Sequence, residues 1–120
     1  MSEYYVYAGW TFSGIMLGYN DSMYVSSGGS ATMTTISSGG WMYVRSGGSA
    51  ISTTISSGSS MGVDGSATNT TIRYGGQMHV SSGGGATMTT FSSGGYMGVY
   101  GSATSTTISS GGRMYIFLSA

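Results

Sequence analysis

A short apolar motif, Met-x-Val, recurs along this chain at a nearly constant spacing. Its methionines are separated by 19, 19, 17, 19 and 17 residues. The motif stands at Met23, Met42, Met61, Met78 and Met97, and as Met-x-Ile at Met114. A segment of the form Ala-x-x-Thr-Thr-Ile, or Phe for the last residue, follows each Met-x-Val, and Gly-Ser-rich stretches separate the two. A fixed period of this length indicates a solenoid.

The apolar spacing of two and the abundance of Thr, Val, Ile and Tyr predict strands, and the glycine pairs between them would break a helix. Each repeat is expected to contain two short strands. Each strand pairs in parallel with its equivalent one coil away, about 4.8 Å along the axis. The sequence thus predicts an all-β protein, a single right-handed parallel β-solenoid (β-helix) of about six coils of 17–19 residues. An antiparallel sandwich or meander ranks second, because identical residues at identical positions favour stacked parallel coils.

The repeat extends over nearly the whole chain, so we expect one domain spanning residues 1–120. Tyr4 precedes Met23 by 19 residues, and Leu17 precedes Ile36 by the same number. Residues 4–22 are therefore a degenerate first coil. Residues 23–113 form the regular coils, and residues 114–120 form a C-terminal strand or cap.

Comparison of equivalent positions predicts which side chains face inward. Met and Val are nearly constant in the first strand, as is the final Ile in the second, and these form the predicted core. Thr34 and its equivalents are expected to face inward too, because Ile15 and Ile51 stand where other repeats have Thr. The columns of Met33 and Thr35 are then expected to face outward.

Two coils are two residues shorter than the others, at the segments after Val63 and Val99. An even deletion keeps the in-and-out alternation of the strands. Both short coils also carry glycine, Gly62 or Gly98, in the outward position between Met and Val. The coincidence of the deletion with glycine indicates either a tighter turn that has no functional role or a local notch in the surface.

The outward positions of the first strand are rich in aromatic residues. The residues before and after each Met share one face of a sheet, and we define this aromatic face as Tyr5, Tyr24, Trp41, Tyr43, Gln77, His79, Tyr96, Arg113 and Tyr115. Exposed aromatic residues with few charges mark binding surfaces. Like residues in a ladder also stabilise a sheet, which is the competing interpretation. We predict that this face binds a protein or glycan partner.

Composition excludes several classes of function. The chain has 23 Gly, no Pro and no Cys, and its three basic and three acidic residues give zero net charge. This balance does not supply the phosphate neutralisation that nucleic-acid binding needs. His79 has no acidic residue near it in sequence, and Asp21 and Asp64 lie in different coils without a calcium-binding spacing. The sequence therefore predicts no enzyme, no cofactor and no metal site.

The ends of the chain carry two further expectations. The N-terminal residues lack a basic start and a continuous apolar stretch, and no apolar run is long enough to cross a bilayer. This predicts no secretory signal and no membrane insertion. The C-terminal strand is the most apolar one, and its open edge needs covering. Phe117 and Leu118 are expected either to cap the last coil or to mediate self-association into a homo-oligomer.

The segment MYVSSGGSATMTTISSGGWMYV, from Met23 to Val44, resembles the passenger repeats of AIDA-type autotransporter adhesins of Gram-negative bacteria. The resemblance covers residues 4–118 and rests on Met-x-Val, the Ser-Ser-Gly-Gly corners and Ala-Thr-x-Thr-Thr-Ile. It implies a right-handed parallel β-helix displayed at the cell surface and engaged in adhesion or autoaggregation. It also implies serine glycosylation, since some family members are modified by dedicated heptosyltransferases.

The first functional hypothesis is therefore a non-enzymatic bacterial surface protein that binds through the aromatic face. The absence of a signal peptide leaves a cytoplasmic location open. The alternative is a small intracellular inhibitor, encoded by a mobile element and using the same face against a defence complex. Ice binding is a more distant alternative, since it would require Thr32 and Thr34 to face outward and Ile36 with them.

Overall fold

The computed structural model describes residues 3–92, 94–109 and 111–117. Within these ranges every regular element is a β-strand, and the strands follow one another around successive coils. In chain order they are β1 (Glu3–Val6), β2 (Thr11–Ser13), β3 (Met16–Leu17), β4 (Ser22–Val25), β5 (Ser30–Thr32), β6 (Thr35–Ile36), β7 (Trp41–Val44), β8 (Ser49–Ile51), β9 (Thr54–Ile55), β10 (Ser60–Val63), β11 (Ser66–Thr68), β12 (Thr71–Arg73), β13 (Gln77–Val80), β14 (Gly85–Thr87), β15 (Thr90–Ser92), β16 (Tyr96–Val99), β17 (Ser102–Thr104), β18 (Thr107–Ile108) and β19 (Arg113–Ile116).

Three parallel sheets run along the molecule, and each coil contributes one strand to each sheet. The first sheet has the order β1-β4-β7-β10-β13-β16-β19, the second β2-β5-β8-β11-β14-β17, and the third β3-β6-β9-β12-β15-β18. Each strand pairs with its equivalent in the next coil, so that Met23 lies beside Met42, and Met61 beside Met78. The predicted β-solenoid of about six coils is confirmed, and the antiparallel alternative is excluded.

The first coil joins this register as the sequence predicts. Tyr4 pairs with Met23, and Leu17 pairs with Ile36. The ring of Tyr4 is partly buried and meets Phe12 edge-on, with ring centroids 6.5 Å apart. Larger side chains at this end of the stack thus occupy the positions that Met and Ala hold in the regular coils.

The prediction of two strands per coil is wrong, because the second predicted strand bends sharply in its middle. Its third residue has a positive φ in every regular coil, at Met33 (52°), Ser52 (59°), Asn69 (58°), Met88 (58°) and Ser105 (57°). A left-handed residue cannot continue a strand, so the segment divides into a three-residue strand and a short second one. The corner separates the second sheet from the third and makes the coil three-sided.

This corner also shifts the alternation of side chains, which corrects part of the inward and outward assignment. Thr34 is fully buried, as predicted, and Met33 is exposed. Ile51, which pairs with Thr32, is 41% exposed, so the Thr32 column faces outward and Ile51 gives no support for inward Thr. The ice-binding arrangement needs Thr34 and Ile36 on the surface, and both are fully buried.

The interior is a stack of like side chains with no exposure in the middle coils. Met and Val from the first sheet, Ala from the second and Ile or Phe from the third fill it. The buried alanine column, from Ala31 to Ala86, is a part of the core that the sequence did not reveal. Burial of each Met, Val or Ile is worth about 1.5–3 kcal/mol, so the stack as a whole is held by apolar contact between neighbouring coils.

One polar column lies inside this apolar interior. Five threonine hydroxyls in it have no hydrogen-bond partner among the described residues: Thr34, Thr53, Thr70, Thr89 and Thr106. A buried hydroxyl without a partner costs about 1–3 kcal/mol relative to an apolar group of the same shape. Ile15 stands in this column in the first coil, which indicates that the position accepts a branched apolar side chain.

We therefore expect Thr53→Val to raise the free energy of unfolding by about 1 kcal/mol or more, because it removes an unpaired hydroxyl and keeps the shape. Urea unfolding followed by circular dichroism measures the effect. Thr54→Val is the matched control, since Thr54 is the next residue and is only partly buried. A destabilised Thr53→Val variant would show that the hydroxyl is paired in solution.

Candidate binding surface

The aromatic face lies on the outer side of the first sheet, where two columns of side chains stand next to each other. Parallel register places Tyr5, Tyr24 and Tyr43 in one column and Trp41, Gln77 and Tyr96 in the other. The residues of these columns alternate with the buried Met and Val of the same strands. The structure thus brings together on one face all nine residues of the predicted surface.

At the N-terminal half of the face, four rings form a continuous row. Tyr5 stacks on Tyr24 with centroids 5.2 Å apart and an interplanar angle of 14°. Tyr24 meets Trp41 edge-on at 5.5 Å, and Trp41 stacks on Tyr43 at 5.8 Å. Such pairs add roughly 0.5–1.5 kcal/mol beyond the area that they bury, so the contacts between the rings stabilise the row.

A second, smaller group of rings lies at the C-terminal half. His79 and Tyr96 are 5.7 Å apart, and Tyr96 and Tyr115 are 5.5 Å apart. Ser60 and Gly62 separate this group from the first, because they occupy both columns in the coil between Tyr43 and His79. The face therefore consists of two aromatic clusters with a step between them.

The glycines in the outward column lie beneath neighbouring aromatic rings. A Cβ atom at Gly62 would lie 3.1 Å from Cδ1 of Tyr43, so the tyrosine ring lies across this glycine. Gly98 is buried beneath Tyr96, His79 and Phe117, whose nearest atoms are 3.4–3.6 Å from a Cβ at that position. Both glycines of the short coils thus hold an aromatic side chain from an adjacent strand against the sheet.

A polar cluster borders the first group of rings at the shortened turn. Tyr43 donates a hydrogen bond to Oδ2 of Asp64, which stands directly after β10. The guanidinium of Arg45 lies 5.6 Å from the centroid of the Tyr43 ring and 6.0 Å from that of Tyr24. Sequence reasoning did not place Arg45 or Asp64 on this surface. The relevant signal was that both follow a first-sheet Val, and so occupy one column in adjacent coils.

The short turn itself depends on a close approach of two backbones. A Cβ atom at Gly65 would lie 2.4 Å from the carbonyl oxygens of Arg45 and Gly48, which leaves no room for a side chain. Asp64 is therefore held close to the preceding coil. A shallow depression of about 280 Å³ opens beside it, lined by Ser46, Ser49, Ser66 and the intervening glycines.

The charges of this cluster shift two ionisation equilibria. The hydrogen bond to Asp64, together with partial desolvation, raises the pKa of the Tyr43 hydroxyl above its ordinary value. The hydrogen bonds from Tyr43 and Ser81, and the charge of Arg45, hold the pKa of Asp64 below its ordinary range. Each shift favours the form in which neutral Tyr43 donates to ionised Asp64.

A larger depression of about 430 Å³ lies at the edge of the face beside Trp41. Glu3, Asn20 and Asp21 line it together with Ser22 and Gly39. Oδ2 of Asp21 accepts a hydrogen bond of 2.9 Å from the backbone N–H of Gly18, and Glu3 accepts one of 3.2 Å from the Tyr5 hydroxyl. The exposed edge of Trp41 thus borders a polar hollow with two carboxylates.

Phe117 does not lie across the end of the core. Its ring stacks on Tyr100 with centroids 4.5 Å apart, on the outer side of the column that contains Arg45 and Asp64, and it is 40% exposed. At the same end, Ile116 and Ile108 are 62% and 48% exposed. Leu118, the other residue predicted to cap the coil or to mediate self-association, lies outside the described residues.

The acidic and imidazole side chains are scattered over the structure. Among the described residues, no group of three or more His, Asp or Glu side chains could hold a metal ion. His79 is exposed and contacts the ring of Tyr96. No helix in the described part of the chain is long and apolar enough to span a membrane.

Architecture and surface together define a parallel β-solenoid with one aromatic side. A family model described as "Adhesin of bacterial autotransporter system, probable stalk" matches residues 63–112. A search of curated proteins found no match. Among solved structures, a TibC-catalysed, hyper-glycosylated TibA fragment is similar over 98% of this chain, with a TM-score of 0.80 and 36% sequence identity. The chain spans 51% of that fragment.

The resemblance to AIDA-type passenger repeats is therefore confirmed, by the family model over residues 63–112 and by the structural similarity to the TibA fragment over nearly the whole chain. The family model and the structural neighbour support an adhesin-like repeat protein.

The Tyr43–Asp64 hydrogen bond predicts a loss of stability at both extremes of pH. Because the pKa of Asp64 is lowered in the folded state, ionised Asp64 adds to the free energy of unfolding above about pH 4. This added stability is lost as the pH falls through the folded-state pKa. Because the pKa of Tyr43 is raised in the folded state, neutral Tyr43 adds to the free energy of unfolding below about pH 10. This added stability is lost as the pH rises through the folded-state pKa.

Tyr43→Phe should weaken the dependence of stability on pH in both the acid and the alkaline branch of the pH profile, because it removes the shared hydrogen bond and leaves the ring in place. Thermal unfolding measured from pH 2 to pH 11 tests this expectation. Tyr24→Phe, from the same column, keeps the bond to Asp64 and should retain the acid branch of the unmodified protein. Identical pH profiles for Tyr43→Phe and the unmodified protein would show that this hydrogen bond does not contribute to stability.

Proposed function

We propose that this chain is a surface-displayed, adhesin-like repeat array that binds a protein or glycan partner through its aromatic face. The observation that carries the proposal is the row of stacked rings from Tyr5 to Tyr43, which stands outside the core. The match to the family described as an autotransporter adhesin stalk, together with the structural similarity to the TibA fragment, supports the same class of function.

The chemistry of the face suits adhesion to a largely uncharged surface. Tyr and Trp present a flat apolar ring with a polar group at its edge, and such residues dominate the energetics of binding sites. Of the three arginines in the chain, Arg113 lies on the face and Arg45 lies over its tyrosines. Tyr24, Trp41 and Tyr43 are proposed as the centre of contact, with Gln77, His79, Tyr96, Arg113 and Tyr115 extending it.

Stacking within the sheet also explains part of the aromatic row. The exposed fraction of each ring distinguishes a row that only stabilises the sheet from one that also binds a partner. Tyr5, Trp41 and Tyr115 keep 36–44% of their surface exposed although they contact neighbouring rings. Only part of each ring is therefore used to stabilise the stack. The remaining apolar area is available to a partner.

Trp41→Ser tests the aromatic face, because Ser22 and Ser60 already occupy this column in the adjacent coils. Binding of the full chain to arrays of immobilised glycans and extracellular proteins should weaken at least tenfold, as expected for a central contact residue. Met33→Ser is the matched control, because it removes an exposed apolar side chain at another corner, where Ser52 stands one coil away. Equal losses in both variants would overturn the proposed face.

Fractionation of the native host tests the location. Recovery of the chain at the cell surface supports the adhesin-like function. Recovery in the cytosol, bound to a defence complex through the same face, would instead establish the inhibitor hypothesis.

The C-terminal end is proposed as a self-association surface. Ile108, Ile116 and Phe117 expose apolar area beside strand β19, whose outer edge has no partner strand among the described residues. Phe117→Ser should lower the average mass measured by light scattering at high protein concentration. Ser109→Thr, a conservative change on the neighbouring segment, is the control. An unmodified chain that is monomeric at all concentrations would exclude this surface.

A further inference from the structure

A second candidate site lies away from the aromatic face, at the corner where the third sheet turns into the first. A depression of about 340 Å³ opens there, lined by Ser56, Ser57, Arg73, Tyr74 and Ser92. Four of these residues are exposed, and Ser56 is partly buried. The depression combines one guanidinium, one aromatic ring and several hydroxyl groups.

The arginine in this depression stands in a column that is serine in the other regular coils. Arg73 pairs with Ser92 in the next coil, and Ser37 and Ser56 hold the equivalent turn position in two earlier coils. The backbone carbonyls of Ser37, Ser56 and Arg73 each accept the hydrogen bond that closes the same turn, from the N–H groups of Gly40, Ser59 and Gly76 respectively. The fold thus accepts serine here, and Arg73 is not needed to build the corner.

The guanidinium of Arg73 has no hydrogen-bond or ion-pair partner among the described residues, and no carboxylate lines the depression. Asp21 lies at the same corner three coils away, about 14 Å along the axis, where salt screens its charge. Asp64 lies at the opposite end of β10, at a different corner. The depression is therefore positively charged although the chain as a whole is neutral.

The ring of Tyr74 is held beside this charge. Tyr74 and Gly75 form the centre of a four-residue turn, and the φ of Gly75 is 77°. The ring lies across Gly94 of the next coil, where a Cβ atom would come within 2.8 Å of Cδ1. Tyr74 nevertheless stays 72% exposed, so a flat apolar surface stands next to the unpaired guanidinium.

We propose that this corner is a binding site for an acidic sugar, meaning a sugar ring that carries a carboxylate or sulfate group. Arginine binds such oxyanions through two parallel hydrogen bonds. The Tyr74 ring packs against the apolar face of the sugar, and the hydroxyls of Ser56 and Ser92 exchange hydrogen bonds with its hydroxyl groups. The site shares no residue with the aromatic face, so it stands or fails independently of the proposed adhesive surface.

The test is a titration of the isotopically labelled full chain, followed by the NMR signals of Arg73 Nε–H and the Tyr74 ring. The probes are 3′-sialyllactose, sulfated lactose, unmodified lactose and inorganic sulfate. We expect both acidic sugars, or one of them, to shift these signals at concentrations at least tenfold below those of lactose and sulfate. The acidic sugar that binds more tightly identifies whether the site prefers a carboxylate or a sulfate group.

Two single variants and one relocated site complete the test. Arg73→Ser and Tyr74→Ser, which restore the serines of the neighbouring coils, should each weaken binding about tenfold or more. In a chain that carries both Arg73→Ser and Tyr74→Ser, the further changes Ser56→Arg and Ser57→Tyr should restore binding one coil away. There, Gly75 would lie beneath the new tyrosine ring. Circular dichroism verifies the fold of each variant.

Four outcomes would overturn the proposal. Equal affinity for lactose would exclude recognition of the acidic group, and equal affinity for sulfate would reduce the site to a simple ion contact. Unchanged signals with all four probes at high millimolar concentration would exclude the site itself. Loss of acidic-sugar binding in Trp41→Ser with retention in Arg73→Ser would assign the ligand to the aromatic face instead.

Discussion

The structure depends on one constraint, which is that every strand lies in parallel beside its own equivalent from the next coil. Backbone hydrogen bonds between coils fix this register, and it makes like side chains neighbours throughout the molecule. A single coil has too few apolar residues to offset the entropy of ordering its chain, so stability arises only between coils. The buried Met and Val columns and the outer aromatic columns are two results of the same register.

The shortened coils show how the constraint tolerates variation. Two residues are missing from a turn, the strands on either side keep their alternation, and the register continues unchanged. What changes is the local surface, because Gly65 brings Asp64 against the preceding coil and Gly62 lets Tyr43 lie flat. Differences that leave the core intact can therefore create distinct chemical environments on the outside.

The sequence was sufficient to predict the buried Met, Val and Ile columns and the position of the nine outward residues on one sheet, because both rest on strict repetition in register. It was not sufficient for the corner at Met33, since Met has no preference for a left-handed backbone and Thr on both sides favours a strand. Gly14 and Asn69, which share that column and tolerate positive φ, were the available signal. The contact of Tyr43 with Asp64 was beyond prediction, because it requires the path of the short turn and the empty side of Gly62.

Tyr43 rests on Gly62 of the following coil, so the surface of one repeat is completed by the next. This has an evolutionary consequence. Loss or duplication of one repeat by recombination would preserve the core but separate a tyrosine from its glycine support. The inherited module of surface chemistry is accordingly a pair of consecutive repeats, and new ligand specificities should arise by exchange of such pairs rather than of single units.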